Sequence, residues 1–189
     1  MTQASAIMHV LEDGLISIFA RCLLTAPNPL MHASCIENRL TVSGAVMGTE
    51  TDEFLAEMLP KHHAAELSFR SGDAGPRLAL WSRVEPVSWL GQYGGCATGA
   101  AEVTEHFHRV ASRFTDVREF RFELIAADVH GDAAYSVGFE HFLGSFDGRA
   151  DTVMTHRVSR GYRREKGDWR IAHGHGDVAP WVTRRPPWT

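Results

Sequence analysis

The sequence has few cysteines, no large excess of one charge and no apolar run long enough to cross a membrane. Its 189 residues include three cysteines, Cys22, Cys35 and Cys96. This odd, widely spaced set fits neither a disulfide framework nor a cysteine-rich zinc site. The 19 basic residues, against 23 acidic ones, give a net charge of −4, which excludes the basic field that binding to a phosphate backbone requires. We expect reduced thiols, a cytoplasmic location and no nucleic-acid partner.

One apolar stretch near the start, GLISIFARCLL, has the length of the core of an export signal. It follows Glu12 and Asp13 rather than basic residues, and it is too short to span a bilayer. We therefore interpret this stretch as a short helix and expect no contact with a membrane.

The apolar fraction of 44% suits one globular domain with a substantial core. Residues 1–48 show neither helical nor strand periodicity over any length, and they are interpreted as an N-terminal extension. Patterned sequence begins near Thr51, so the domain is placed at 49–180. The proline-rich end, residues 181–189, is interpreted as an extended tail.

Helical patterns come first within the domain and strand patterns follow. Acidic residues and an apolar stripe predict a helix from Thr51 to Gly72, with a break or kink at Pro60. A second helix is predicted from about Gly99 to Phe114. After Asp116 the period changes to two, which predicts four long strands in two hairpins. The sequence thus predicts an α+β fold with an antiparallel sheet.

The first hairpin is predicted to turn at His130-Gly131, which pairs Arg121 with Glu140. A turn at Gly131-Asp132 would set Glu123 against Glu140, and two like charges directly opposite each other are unfavourable. With the first register, Glu140 points away from the core. The inward residues of the second strand are then Tyr135, Val137, Phe139 and His141.

The second hairpin is predicted to turn at Lys166-Gly167, because glycine supplies the positive φ of a primed turn. Arg160 is then opposite His173 on the inward face, where its guanidinium requires a carboxylate, a ligand oxygen or water. A ligand or solvent is the favoured partner, because Asp177 lies far along the strand. The two predicted registers place a set of six polar residues on the inward face: His141, His156, Arg160, His173, His175 and Asp177.

The motif Tyr-Arg-Arg-x-x-Gly-x-Trp-x-x-x-His-x-His at residues 162–175, together with GDAAYSVGFE, RSGD and VSWLG, resembles the nuclear transport factor 2-like superfamily. Within it the chain is most similar to the SnoaL-like, polyketide cyclase-like group. The resemblance covers roughly residues 51–178. It implies a cone-shaped α+β fold, with helices packed in a strongly curved sheet around a ligand cavity, and a homodimer that uses outward residues such as Arg157, Ser159 and Gly161.

These observations predict binding of a small hydrophobic or carbonyl-bearing molecule, with cofactor-free isomerase, dehydratase or cyclase chemistry as an option. One alternative is a non-catalytic dimerisation module, which a filled cavity or internally paired polar residues would favour. A second alternative is a divalent-metal protein that uses His173, His175 and Asp177. The predicted catalytic residues are His173, Arg160, His175 and Asp177, and the predicted ligand-binding residues are His141, His156, Phe139, Tyr135, Tyr162 and Trp89.

Overall fold

The computed structural model describes residues 7–10, 16–19, 48–92 and 95–179. Two short strands, β1 (Ile7–Val10) and β2 (Ile16–Phe19), pair with each other and form a sheet separate from the main one. Strand β2 corrects the short helix predicted for GLISIFARCLL. Most of the predicted extension, Cys22, Cys35 and the predicted tail lie outside the described residues.

Three helices fill the inner side of the main sheet: α1 (Thr49–Phe69), α2 (Gly75–Leu80) and α3 (Ala100–Ala111). The first and third correspond to the two predicted helices, and α1 continues through Pro60. Phe54 of α1 packs edge-to-face on Tyr162 and Trp169 of the sheet, at ring distances of 5.0 and 5.2 Å. None of the described helices is both long and apolar enough to cross a membrane.

The main sheet has six strands: β3 (Ser88–Gly91), β4 (Gly95–Thr98), β5 (Phe114–His130), β6 (Ala133–Phe146), β7 (Arg149–Glu165) and β8 (Asp168–Val178). Their order is β4-β3-β8-β7-β6-β5, and β3 runs parallel to β8 while the other pairs are antiparallel. The four long strands confirm the two predicted hairpins. The sheet is curved and does not close, and the α+β cone fold is confirmed.

The predicted register of the first hairpin is wrong, because a β-bulge at Ile125 separates two registers. The chain turns at Gly131-Asp132, and His130 pairs with Ala133. Beyond the bulge, Glu123 is opposite Phe139 and Glu140 is opposite Phe122, so the two glutamates are not directly opposite each other. One extra residue in β5 therefore permits the turn that like-charge repulsion was expected to exclude.

A second bulge, at Ala172, corrects the second hairpin. The turn at Lys166-Gly167 and the pairing of Tyr162 with Ile171 are as predicted. Past the bulge, Arg160 is opposite Gly174 instead of His173. Because strand side chains alternate between faces, this shift of one residue sends His173, His175 and Asp177 to the outer face.

Candidate functional site

A group of buried charged and polar side chains lies between the helices and the inner face of the sheet. The residues come from four elements: the second half of α1 with its C-cap, the helix α2 and the central strands β6 and β7. All are less than a tenth exposed. We call this group the inner cluster, and it consists of His62, Glu66, Arg70, Arg77, Glu140, His156 and Arg160.

Glu140 is the centre of the inner cluster. The Nη2 atom of Arg70 donates a hydrogen bond of 2.7 Å to its Oε2 atom, and Nη2 of Arg160 donates to its Oε1 atom. Burial alone would raise the pKa of Glu140, but these two guanidinium groups hold that pKa well below its usual range. Glu140 is therefore an ionised carboxylate with both oxygens occupied.

Glu66 is held less firmly. Its Oε1 atom lies 3.3 Å from Nε of Arg77, and its Oε2 atom lies 3.6 Å from Nη2 of Arg70 without a hydrogen-bond partner in the described part of the chain. Burial raises the pKa of this carboxyl, an effect that Arg77 partly opposes and Glu140 reinforces. The two glutamates thus differ in character, since burial favours the protonated form of Glu66 and hydrogen bonds favour the ionised form of Glu140.

Aromatic rings surround the guanidinium groups. Arg70 lies 5.0 to 5.3 Å from the ring centroids of Phe114, Phe120 and Phe142. The Arg77 guanidinium lies 4.4 Å from two phenylalanine centroids and 5.0 Å from that of Trp89. Ring faces attract cations, so these rings compensate part of the cost of burying the arginines.

Both histidines of the inner cluster are neutral at pH 7. Burial, followed by the charge of Arg160, lowers the pKa of His62 well below its ordinary value. Burial and the charge of Arg70 lower the pKa of His156 to about 4. The His156 ring lies 3.3 Å from the side-chain amide nitrogen of Gln92. Neutral imidazole can accept a proton, which is the property a general base requires.

A small cavity adjoins the inner cluster. Its volume is about 20 Å³, which is room for roughly one water molecule. Its wall combines apolar and aromatic surface with guanidinium, amide, imidazole and carboxylate groups. The lining side chains that carry polar atoms are Arg70, Arg77, Trp89, Gln92, His106 and Glu140.

Four of the ten predicted site residues lie on the inner side of the sheet: Arg160, His156, Tyr162 and Trp89. The favoured partner of Arg160 is corrected, since the guanidinium binds the carboxylate of Glu140 rather than a ligand or solvent. Tyr162 shares a hydrogen bond of 3.0 Å with Ser136. Trp89 lines the cavity.

The inward orientation predicted for the other six residues is wrong, because the two bulges reverse the faces of β6 and β8. His173 shares a hydrogen bond of 2.9 Å with Ser88, and Asp177 accepts one of 3.0 Å from Arg157. His141 is buried, yet it lies outside the inner cluster and contacts Thr155. The six residues on the outer side are His173, His175, Asp177, His141, Phe139 and Tyr135.

The structure does not gather the predicted metal ligands. His173, His175 and Asp177 do not form a metal-sized group in the described ranges, where the one such group is His62, Glu66 and Glu140, with ligand atoms within 4.8 Å of one another. Both oxygens of Glu140 already accept hydrogen bonds from arginines. With three guanidinium groups beside it, this donor set fits a buried ion-pair network better than a divalent cation.

Sequence reasoning missed most of the inner cluster. His62 and His106 are not among the predicted site residues, yet both are buried. A signal did exist in α1 and its C-cap, where His62, Glu66 and Arg70 follow one another at intervals of four residues and thus share one face. That face continues the apolar stripe of Leu55 and Met58. Polar residues that extend an apolar stripe at helical spacing predict a buried polar site.

The orientation of β8 can be tested at Gly174. A Cβ atom there would lie 2.6 Å from Trp89 and 3.1 Å from Trp81. Gly174→Ala should lower the free energy of unfolding by about 1–3 kcal/mol through overpacking, measured by urea denaturation. The matched control is Gly161→Ala on β7, where the nearest side-chain atom is 3.6 Å away. Equal stability of the two variants would contradict this packing.

Comparisons with known proteins agree with the fold. Similar solved structures include a nuclear transport factor 2-like protein of unknown function from Pseudomonas putida, with 19% identity, a TM-score of 0.56 and coverage of 73% of this chain and 92% of that one. A second similar structure is a proposed calcium/calmodulin-dependent protein kinase type II association domain from Thiobacillus denitrificans. It has 16% identity and a TM-score of 0.54, and the match covers 63% of this chain and 92% of that one. A third is a proposed dehydratase of the nuclear transport factor 2-like family from Streptomyces avermitilis. It has 17% identity and a TM-score of 0.55, and the match covers 68% of this chain and 97% of that one.

No curated protein matches the sequence. The family model of the SnoaL-like domain matches residues 62–179, which is more than half of the chain. This range begins at His62 and contains every residue of the inner cluster. The match confirms the resemblance predicted from the motifs, and the chain belongs to the SnoaL-like domain family.

Proposed function

We propose that the chain binds a small molecule through a carbonyl or anionic oxygen in the cavity beside the inner cluster. The observation that carries this proposal is the position of Arg77. Its guanidinium lines the cavity, lies among three aromatic rings and has one carboxylate partner, Glu66, in the described part of the chain. A buried guanidinium with spare donors is suited to a ligand oxygen.

The reaction class that this site would support is proton transfer without a cofactor, as in an isomerase, dehydratase or cyclase. Arg77 and Arg70 would polarise the ligand oxygen and stabilise negative charge that develops on it. Among the described residues, the imidazole of His106 and the carboxylate of Glu140 line the cavity and would exchange the proton with the ligand. The description of the Streptomyces structure as a proposed dehydratase supports this class through fold likeness.

The size of the cavity limits the ligand. A volume of about 20 Å³ has room for roughly one water molecule. Binding of a larger ligand requires side chains such as Gln92 and His106 to move. A screen should therefore begin with short-chain ketones, aldehydes and carboxylic acids rather than steroids.

A thermal-shift screen tests the proposed function, since a ligand that binds the folded state raises the melting temperature. We expect at least one small carbonyl compound or carboxylate to raise it in the natural protein. The shift should be lost in Arg77→Met and kept in the control Arg83→Met, whose side chain is exposed. A screen without any hit, or a hit unaffected by Arg77→Met, would contradict the proposal.

A second candidate function is an association module that acts through the outer face of the sheet. Two observations favour it: both oxygens of Glu140 are paired internally, and Tyr135 is 48% exposed on the outer face, beside Gly161 of β7. Tyrosine is enriched in protein interfaces relative to the rest of the surface.

We expect the protein to sediment as a homodimer. Tyr135→Glu should convert it to a monomer with an unchanged circular dichroism spectrum, because a charge replaces the apolar ring in the interface. Val84→Glu is the control, since Val84 is also exposed but lies outside the long strands. A natural protein that remains monomeric at high concentration would contradict the association module.

A further inference from the structure

The inner cluster contains more buried positive charge than negative charge. Its three guanidinium groups belong to Arg70, Arg77 and Arg160, and its two carboxyl groups belong to Glu66 and Glu140. No other carboxyl group is buried in the described part of the chain, and both histidines are neutral at pH 7 because their pKa values are lowered. With both glutamates ionised, one positive charge is left over, and protonation of Glu66 would leave two. A buried charge without a partner is unfavourable, so an anion would stabilise the cluster in either state.

The ion pairs locate the surplus on the two arginines that share one carboxylate. Arg77 forms an ion pair of 3.3 Å with Glu66, whereas Arg70 and Arg160 both donate hydrogen bonds to Glu140. Glu66 lies 3.6 Å from Arg70, which is beyond hydrogen-bond distance. Nε of Arg70 is buried and lacks a hydrogen-bond partner in the described ranges, and Arg70 lines the cavity. The cavity is therefore the place from which an anion would reach the under-compensated guanidinium.

The wall of the cavity offers hydrogen-bond donors. Arg70 and Arg77 both line it, and so does His106. Nδ1 of His106 accepts a hydrogen bond of 3.1 Å from Arg109, and burial lowers the pKa of the ring, so the neutral imidazole carries its proton on Nε2. Among the described lining residues the one carboxylate is Glu140, whose two oxygens already accept hydrogen bonds from arginines. A wall with two guanidinium groups and an imidazole N–H suits an anion.

We propose that the cavity binds one chloride-sized monoanion beside Arg70 and Arg77 as the counterion of the inner cluster. The volume of about 20 Å³ has room for roughly one water molecule, and a halide ion is of similar size, whereas carboxylates and phosphates are larger. When both glutamates are ionised, the ion cancels the surplus positive charge. This inference goes beyond the proposed function, because the oxygen of an organic ligand would enter the cavity by displacing the ion.

Urea denaturation of the natural protein at pH 7 in mixtures of sodium chloride and sodium gluconate tests this inference. Constant ionic strength keeps the screening of surface charges unchanged, and gluconate is too large for the cavity. An ion that binds the folded state raises the free energy of unfolding with its concentration. We expect the ratio of folded to unfolded protein to rise with chloride, by up to tenfold for each tenfold increase in concentration. Equal stability in the two salts would overturn the inference.

Substitution of Arg70 assigns the ion to this arginine. Arg70→Met leaves two guanidinium groups and two carboxyl groups in the cluster, so the dependence on chloride should be lost. Arg83→Met is the control, because the side chain of Arg83 is exposed, and it should keep the dependence of the natural protein. A dependence on chloride that persists in folded Arg70→Met would overturn the assignment to Arg70.

Crystals of the natural protein grown in sodium bromide locate the ion directly, and they decide the question if Arg70→Met does not fold. We expect an anomalous scattering peak of bromide in contact with Arg70 and Arg77. A cavity that holds only water would overturn the inference. That result would leave the proposed function intact, because the proposed function depends on the screen of organic ligands and on its loss in Arg77→Met.

Discussion

Glu140→Gln should destabilise the protein by about 3–5 kcal/mol, the usual cost of removing one partner of a buried ion pair. The variant leaves Arg70 and Arg160 in the core without the carboxylate that accepts hydrogen bonds from both. Glutamine has nearly the same shape, so the loss would come from charge and hydrogen bonding rather than from a cavity. Urea denaturation at pH 7 measures the change in the free energy of unfolding.

The matched control is Glu119→Gln on the neighbouring strand β5. Glu119 is exposed, and a substitution at such a site usually changes stability by less than about 0.5 kcal/mol. If Glu140→Gln were as stable as Glu119→Gln, Glu140 would not be buried among the arginines, and the orientation of β6 would be wrong.

The fold should also lose stability as the pH falls from about 6.5 to 4. In the unfolded chain His156 has a pKa near 6.5, whereas in the folded protein burial lowers it to about 4. The unfolded state therefore binds more protons in this window, so acid favours unfolding. This pKa difference corresponds to about 3 kcal/mol at the acid end of the window. His62 acts in the same direction.

Other groups modify this pH dependence without reversing it. The raised pKa of Glu66 acts in the opposite sense, because the folded state binds a proton there that the unfolded state has released. Glu140, whose pKa is lowered, adds to the loss once the pH falls below the ordinary value of about 4.5. Between pH 6.5 and 4.5 the two buried histidines favour unfolding in acid, and a single carboxyl opposes it. The free energy of unfolding therefore still falls as the pH falls.

Substitution isolates the contribution of His156. His156→Asn should flatten the dependence of unfolding free energy on pH between 6.5 and 4, measured by denaturation at several pH values. His175→Asn is the control, because His175 is exposed on the outer face and should leave the slope unchanged. A slope that is the same in all three proteins would contradict the burial of a neutral His156.

Periodicity and turn residues were sufficient to predict the four long strands, the helices α1 and α3 and the turn at Lys166-Gly167. They did not predict the bulges at Ile125 and Ala172, because an extra residue shifts the alternation by one position and the short segments beyond the bulges contain few large apolar residues that would reveal the shift. Each bulge then reversed the predicted faces beyond it. Arg160 and His156 were placed correctly because β7 contains no inserted residue in that region.

The missed part of the site depends on contacts between distant segments. Arg70 and Glu140 are separated by 70 positions in the sequence and meet only when α1 packs on β6. From sequence alone, an outward Glu140 paired with Arg121 satisfied the same charge rules as the observed arrangement. Local patterns therefore indicated a polar pocket, while its composition was decided by the packing of α1 and α2 on the sheet.

The central claim is that the inner face of the sheet presents a carboxylate held by two arginines, with a third arginine open to an anion. A crystal structure of the protein grown with formate tests this claim most directly. We expect Glu140 between Arg70 and Arg160, with formate on Arg77 beside Trp89. An inner face that carries His173 and His175, with Glu140 in solvent, would contradict it.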